Sequence, residues 1–295
     1  MNDVSAERTR LDLHQRVTDE IVQAIEAGAG KFFMPWHGIP EGIPRNVLTG
    51  TPYHGVNTLI LWAAAKNRKY RTPYWATYRQ WLEVGAQVRK GEKATVVVFY
   101  KQIPLEAEDV ETGDIVSDYR LVARAFFVFN GAQVEGWKVP GLESVDWIQN
   151  HDRIEEFVLC TGADIRSAGD KACYDRLGDY ILVPDRVMFQ GSPTRSATEG
   201  YYSTVFHELV HWTGHHRRLA RNLSGRFGDE AYAMEELVAE LGAAFLCAEF
   251  LVPNKPRQDH AAYIADWLKV LKCDKRAIFS ASVAAHQAVD FLCSY

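Results

Sequence analysis

His207-Glu208-Leu209-Val210-His211 is the stretch on which the reading of this chain turns. On a helix, residues four apart lie on one face, so both imidazoles can reach a single ion. Glu208 points close to the same place and can polarise a metal-bound water. Ser196 and Glu199 stand upstream at capping-box spacing, and Gly214 stands where the helix can close. Val205, Phe206, Leu209 and Val210 make the flanks apolar, which suits a buried helix better than a surface helix with two incidental histidines. The expectation is a metal-binding helix over 203–214, with His207 and His211 as ligands and Glu208 as the catalytic carboxylate.

A catalytic zinc takes three protein ligands and keeps one position for water. The pattern H-E-x-x-H-x-x-G-x-x-H would put a third histidine where this chain has Arg217, and His215 and His216 fall short of that place. Glu235, Glu236 and Glu240 follow on a second helical run, with Glu236 and Glu240 one turn apart on one face. Spacing alone leaves all three open as the ligand, and solvated helix-face charges would look the same. The run resembles the glutamate zincins, where E-x-x-A-[D/N] follows H-E-x-x-H. That resemblance implies Glu236 as the ligand and Glu240 as the carboxylate that orients a histidine. Here Glu stands where the pattern has Asp or Asn. Tyr263, His286 and Arg217 are further groups that could stabilise an oxyanion.

The rest of the chain reads outward from this helix. With 47 % hydrophobic and 24 % charged residues over 295 positions, disordered and fibrous classes are excluded. The five cysteines include no C-x-x-C pair, which argues against a cysteine zinc knuckle and for reduced thiols. The N-terminal MNDVSAERTR has no apolar core of a secretory signal, and Leu241 to Val252 is too short to span a bilayer. A soluble cytoplasmic protein with no membrane partner is expected.

Apolar periodicity predicts helices over 11–27, 56–66, 74–84, 145–161, 200–214, 232–250, 258–272 and 276–293. A Gly/Pro-rich loop spans 28–52, and the acidic segment 106–118 separates strand-like runs at 95–100 and 121–129, a hairpin signal. A short strand is expected at 180–183. The junction falls in 133–146, giving an α+β N-terminal domain over 1–138 and a second domain over 145–295.

Charge is unevenly spread. Residues 66–101 hold nine basic and two acidic side chains, while the whole chain is at −5. Lys66, Arg68, Lys69, Arg71, Arg79, Lys90 and Lys93 interleave with Tyr74 and Trp75, and Arg45 and Asn46 precede them. Cations can track phosphates while aromatic faces stack on unpaired bases, which leans toward single-stranded nucleic acid. A solvated basic face over an aromatic core holding Trp75 and Trp81 is the competing reading.

Trp36, Pro44-Arg45-Asn46, Tyr53-His54-Gly55-Val56-Asn57, Trp75 to Trp81, Gly85, Lys90-Gly91-Glu92-Lys93 and Phe129 to Gln133 resemble the N-terminal domain of ArdC-type antirestriction proteins, a domain also found in TraC-type primases. Tyr201 to His215 and Tyr232 to Phe245 resemble that family's zincin-like metallopeptidase domain. The resemblance implies a plasmid- or phage-borne protein that binds single-stranded DNA and helps mobile DNA escape restriction. It also implies a metal-dependent peptidase-like domain holding Zn²⁺, or alternatively Mn²⁺, with a host protein as one conceivable substrate. The rivals are a catalytically silent, metal-stabilised DNA-binding protein and a metal-dependent nuclease. A single His₂Glu site suits peptide hydrolysis better than the two-metal sites of many nucleases.

Overall fold

The computed structural model describes residues 12–29, 34–37, 42–108, 115–138, 147–191, 196–223, 229–253 and 260–295. In the N-terminal half, α2 (Val56–Arg68) packs on a four-stranded sheet, and α1 (Leu13–Ala29) packs on α2. Its strands are β1 (Arg45–Asn46), β2 (Tyr74–Thr77), β4 (Thr95–Glu108) and β5 (Ile115–Asn130), in the order β1-β2-β5-β4. β4 and β5 pair antiparallel from Thr95↔Val128 outward, the hairpin expected from their β-branched and aromatic composition. The strands run into the expected acidic loop, reaching Glu108 and resuming at Ile115. β4 is the free edge of the sheet, and Asn57 of α2 covers part of it. Its side chain donates to the Val98 carbonyl and accepts from the Val98 N–H, both at 2.8 Å.

The helix expected over 74–84 divides in two. Tyr74–Thr77 pairs with β5 as β2, and only Tyr78–Glu83 is helical, as α3. Thr77 ends the strand and caps the helix in a capping box with Gln80. Long-range pairing wins over local periodicity here. A two-stranded sheet of β3 (Gln87–Val88) and β6 (Val134–Glu135) closes this half.

In the C-terminal half, α4 (Trp147–Cys160) precedes a three-stranded sheet, β7 (Asp164–Ser167), β8 (Cys173–Asp175) and β9 (Tyr180–Val183), in the order β7-β9-β8. Of these only β9 is expected from sequence. Helices α5 (Ala197–Thr213), α6 (Glu230–Glu249), α7 (His260–Cys273) and α8 (Ala277–Leu292) follow. One core cluster crosses between the halves. Val17, Ile21 and Ile25 of α1, Trp36, and Leu59 and Trp62 of α2 pack with Phe206, Leu237, Phe245, Trp267 and Ile278. The five cysteines form no disulfide, and among the described residues no helix is long and apolar enough to cross a membrane.

Candidate metal centre

The helix that carries the opening motif forms as its caps demand. Ser196 Oγ accepts from the Glu199 N–H, Glu199 answers at the Ser196 N–H, and α5 runs to Gly214. Gly214 adopts a right-handed conformation, so a left-handed cap is not the reason for glycine. A Cβ there would stand 2.9 Å from Leu223 and 3.0 Å from Arg221, so the position needs the missing side chain for close approach. Gly242 on α6 does the same against Val210 of α5, where a Cβ would meet a methyl at 2.7 Å. That approach sets α6 close enough for its carboxylates to reach the histidines of α5.

His207 Nε2 and His211 Nε2 stand 3.2 Å apart. Glu236 Oε2 lies 3.5 Å from the first and Glu236 Oε1 lies 3.6 Å from the second. Ligands about 2.0–2.1 Å from one tetrahedral ion stand about 3.3 Å from each other. The three groups therefore converge as a ligand triangle, and they are the one such group among the described residues. All three are largely buried, as is Glu208. Glu208 lines the same cleft of about 260 Å³, with Cys173, Tyr232, Tyr263 and Glu235 among the neighbours.

The two other candidate carboxylates take different posts. Glu235 accepts from His211 Nδ1 at 3.1 Å and is clasped by Arg221 through Nε at 3.0 Å and Nη2 at 2.8 Å. With the Nδ1 proton directed at Glu235, it is Nε2 of His211 that faces the triangle and gives up its proton to an ion. Glu240 lies further along α6, where its Oε1 accepts from Trp36 Nε1 at 3.0 Å and His37 Nε2 at 2.8 Å. His207 Nδ1 is buried without a hydrogen-bond partner, so Glu240 does not orient that ring. The carboxylate that the structure sets against a candidate ligand histidine is Glu235.

Charge inside the triangle is strongly coupled. Burial works against a charged His211, but the Glu235 hydrogen bond and the Glu236 and Glu235 charges push it up to about 9. Burial likewise opposes the Glu236 carboxylate, yet the His207 hydrogen bond and the two imidazoles hold it down to about 2. The Tyr232 hydroxyl lies 3.3 Å from that of Tyr263, and burial with this contact raises it well above its ordinary range. Of the three further groups named from sequence, Tyr263 lines the cleft, whereas His286 is joined to His54. Arg217 is not among the residues lining it.

The basic residues separate into distinct settings. Lys66 is exposed overall but donates to the Met34 carbonyl at 2.8 Å, and desolvation there pulls it down to about 8. Arg68 reaches the Lys93 carbonyl at 2.7 Å, which brings these two stretches together. Lys69, Arg71, Lys90 and Lys93 are exposed. Arg79 is 90 % exposed with Glu83 at 3.5 Å. Arg45 sits in β1, its N–H bonded to the Pro73 carbonyl. The Asn46 amide oxygen holds the turn at Leu48 and Thr49. Tyr74 packs edge-on to Trp137, and Trp75 is 1 % exposed in the core beside Tyr70. Trp75 therefore offers no face to a base. The aromatic rings that do reach solvent in this half include Tyr78, Phe99, Tyr100, Phe126 and Phe127. The run-of-strand composition at 95–100 and 121–129 hid these from a reading by sequence.

Two histidines one turn apart, a carboxylate from the next helix and a glutamate between the histidines define a zincin-like metallopeptidase domain. A family model of that description, zincin-like metallopeptidase, matches residues 152–284. A second, the N-terminal domain of anti-restriction factor ArdC, matches residues 11–129. The crystal structure of the metal-free antirestriction protein ArdC from plasmid R388 is 39 % identical, with a TM-score of 0.76 over 96 % of this chain and 97 % of that one. Its Mn(II)-bound form gives 38 % and 0.74. The y4eC protein of Sinorhizobium fredii (strain NBRC 101917 / NGR234) is 42 % identical over 97 % of this chain and 92 % of its own length. A DNA primase TraC of Escherichia coli is 36 % identical over 96 % of this chain, which spans 27 % of the primase. The chain belongs to the ArdC antirestriction family.

Proposed function

We propose that this protein binds single-stranded DNA through its N-terminal half and protects incoming plasmid DNA from restriction. Its C-terminal half would hold a divalent ion, Zn²⁺ or Mn²⁺, on His207, His211 and Glu236. The observation that carries the metal reading is the convergence of two imidazole nitrogens 3.2 Å apart with the two Glu236 oxygens, 3.5 and 3.6 Å from them. Two imidazoles and one carboxylate suit either ion, and the R388 relative was crystallised with Mn(II). When bound, such an ion supplies Lewis acidity toward a carbonyl oxygen and lowers the pKa of a bound water.

The chain's own groups then divide the work. Glu208, in the same cleft, takes a proton from the attacking water as general base. The Tyr232 and Tyr263 hydroxyls line the cleft and offer donors where an oxyanion would develop. Glu235 and Arg221 hold His211 in the tautomer that leaves Nε2 facing the ion. A peptide of a host protein fits this chemistry as substrate.

Three measurements on the purified full chain test the reading. Metal analysis should return one ion per chain, lost in His207→Ala; no stoichiometric metal overturns the centre. Binding to a single-stranded oligonucleotide should weaken with salt and exceed binding to duplex; a preference for duplex overturns the DNA reading. Restriction of incoming plasmid DNA should rise when Glu208→Ala replaces the wild type; unchanged protection overturns a catalytic role and leaves binding as the function.

A further inference from the structure

Beside the N-terminal sheet lies a groove of about 980 Å³, lined by the β1–α2 connection, α3 and the β4–β5 hairpin. That is the size of a site for several flat rings rather than for a water or an ion. Phe99 and Phe126 lie in its lining, 47 % and 42 % exposed, with their rings edge to face at 5.3 Å. Two neighbouring phenylalanines held open to solvent are costly on a surface that binds nothing.

The charge around them has a pattern. Phe99 pairs with Arg124 in the hairpin register, and Val97 pairs with Phe126. Residues two apart share a face of a strand, so Lys101 lies beyond Phe99 and Arg124 beyond Phe126. Each strand thus sets one cation next to its ring on one face of the hairpin, and both cations are exposed. Arg79 rises from α3 on the opposite wall, with Glu83 the acidic group beside it, and Thr49, Thr51 and Thr77 supply hydroxyls. A membrane or an apolar helix would not need cations flanking the ring pair. A chain of flat bases on a phosphate backbone would.

We propose that this groove takes unpaired bases of single-stranded DNA, stacked on Phe99 and Phe126, while Arg79, Lys101 and Arg124 meet the phosphates. The proposal rests on the DNA-binding reading above and, besides Arg79, assigns it to Phe99, Lys101, Arg124 and Phe126 of the hairpin. Trp75 and Trp81, the rings prominent in sequence, are buried and take no part.

The experiment uses the full chain and a fluorescent oligo-dT, with an abasic oligonucleotide of equal length and charge as the second probe. Phe99→Ala and Phe126→Ala should each weaken oligo-dT binding roughly 5- to 100-fold, as loss of one stacked base does. The wild type should prefer oligo-dT to the abasic strand, and the double Phe variant should lose that preference. Arg79→Ala, Lys101→Ala and Arg124→Ala should each flatten the salt dependence by about 0.7 in slope. Unchanged melting temperature in the Phe variants identifies the loss as local. Wild-type binding that both Phe variants retain, or an abasic strand bound as well as oligo-dT, overturns the groove and leaves DNA binding intact. No wild-type binding to either probe overturns the DNA-binding reading itself. A dimer in solution that the Phe variants dissolve, with DNA binding unchanged, overturns the groove in favour of a second copy of the chain.

Discussion

His37 Nε2 donates to Glu240 Oε1 across 2.8 Å, with both side chains buried. The Met34 N–H donates to His37 Nδ1 at 3.0 Å, so the ring is neutral and carries its proton on Nε2. Trp36 Nε1 donates to the same carboxylate oxygen. A segment of the N-terminal half is thereby tied to α6, the helix that carries Glu235 and Glu236. Glu240→Ala removes the buried acceptor that an indole and an imidazole donor share. It should cost about 3–5 kcal/mol in urea unfolding, whereas Glu240→Gln, which keeps an acceptor, should cost less. Equal losses in the two variants would show that the pair adds nothing specific.

Glu235 gives a second prediction. Its removal takes away the acceptor of His211 Nδ1 and leaves Arg221 only its bonds to Thr213 and Val210. Glu235→Ala should weaken metal binding about 10- to 100-fold in a competition titration with a chromogenic chelator. Glu236→Ala should abolish stoichiometric binding, because it removes a vertex of the triangle. If the two variants behave in the opposite order, Glu235 is the ligand.

pH should act on metal binding through His211. The group sits at about 9 in the metal-free protein, so at pH 7 it holds a proton that an ion must displace. Apparent affinity should rise about tenfold per pH unit from 7 toward 9 and then level off. Calorimetry in buffers of different ionisation enthalpy should register about one proton released at pH 7. The stability of the metal-free protein follows the opposite limb. His211 is raised from 6.5, so its contribution is complete below 6.5 and is lost as pH rises through about 9. Glu236 is lowered from 4.5, so its contribution is complete above 4.5 and is lost as pH falls through about 2. Chemical denaturation across pH with chelator present should show a plateau between those limits.

Packing between the two metal-bearing helices should be intolerant of a methyl group. Gly242→Ala places a Cβ 2.7 Å from Val210, which is fully buried. Overpacking of this kind costs about 1–3 kcal/mol. Because the displaced helix carries Glu235 and Glu236, metal affinity should fall as well. A variant with full metal affinity and wild-type melting temperature would contradict this role for the glycine.

Trp75 separates core from surface. Trp75→Ala should lower stability by about 3–5 kcal/mol, as expected for a buried aromatic. Trp75→Phe should leave oligo-dT binding at the wild-type level in an anisotropy titration. A large loss of DNA binding from the Phe variant would return this ring to the binding surface.

Several features were readable along the chain because they are local. The i, i+4 histidines need only one helix to share a face, and the Ser196–Glu199 capping box that starts that helix lies within four residues. The β4–β5 pairing follows from composition on either side of an acidic segment. The strand at Tyr74–Thr77 was not readable in this way. Its partner is β5, more than fifty residues later, and its short aromatic run also fits a helical period. Thr77 and Gln80 at capping-box spacing were the available sign that a helix begins only at Tyr78.

By itself, then, the sequence determined that His207 and His211 share one helix face with Glu208 beside them, and it offered Glu235, Glu236 and Glu240 as candidates to complete the set. Which carboxylate does which job was decided only by the tertiary structure. Three glutamates on adjoining faces of α6 differ by how that helix is rotated and seated on α5. Gly242 against Val210 sets the seating, and it sends Glu236 to the triangle, Glu235 to His211 and Glu240 to Trp36 and His37. The same holds for the rings. Composition places aromatics in the N-terminal half, but only the sheet's pairing and the cover of α2 decide that Trp75 is sealed and Phe99 and Phe126 face water.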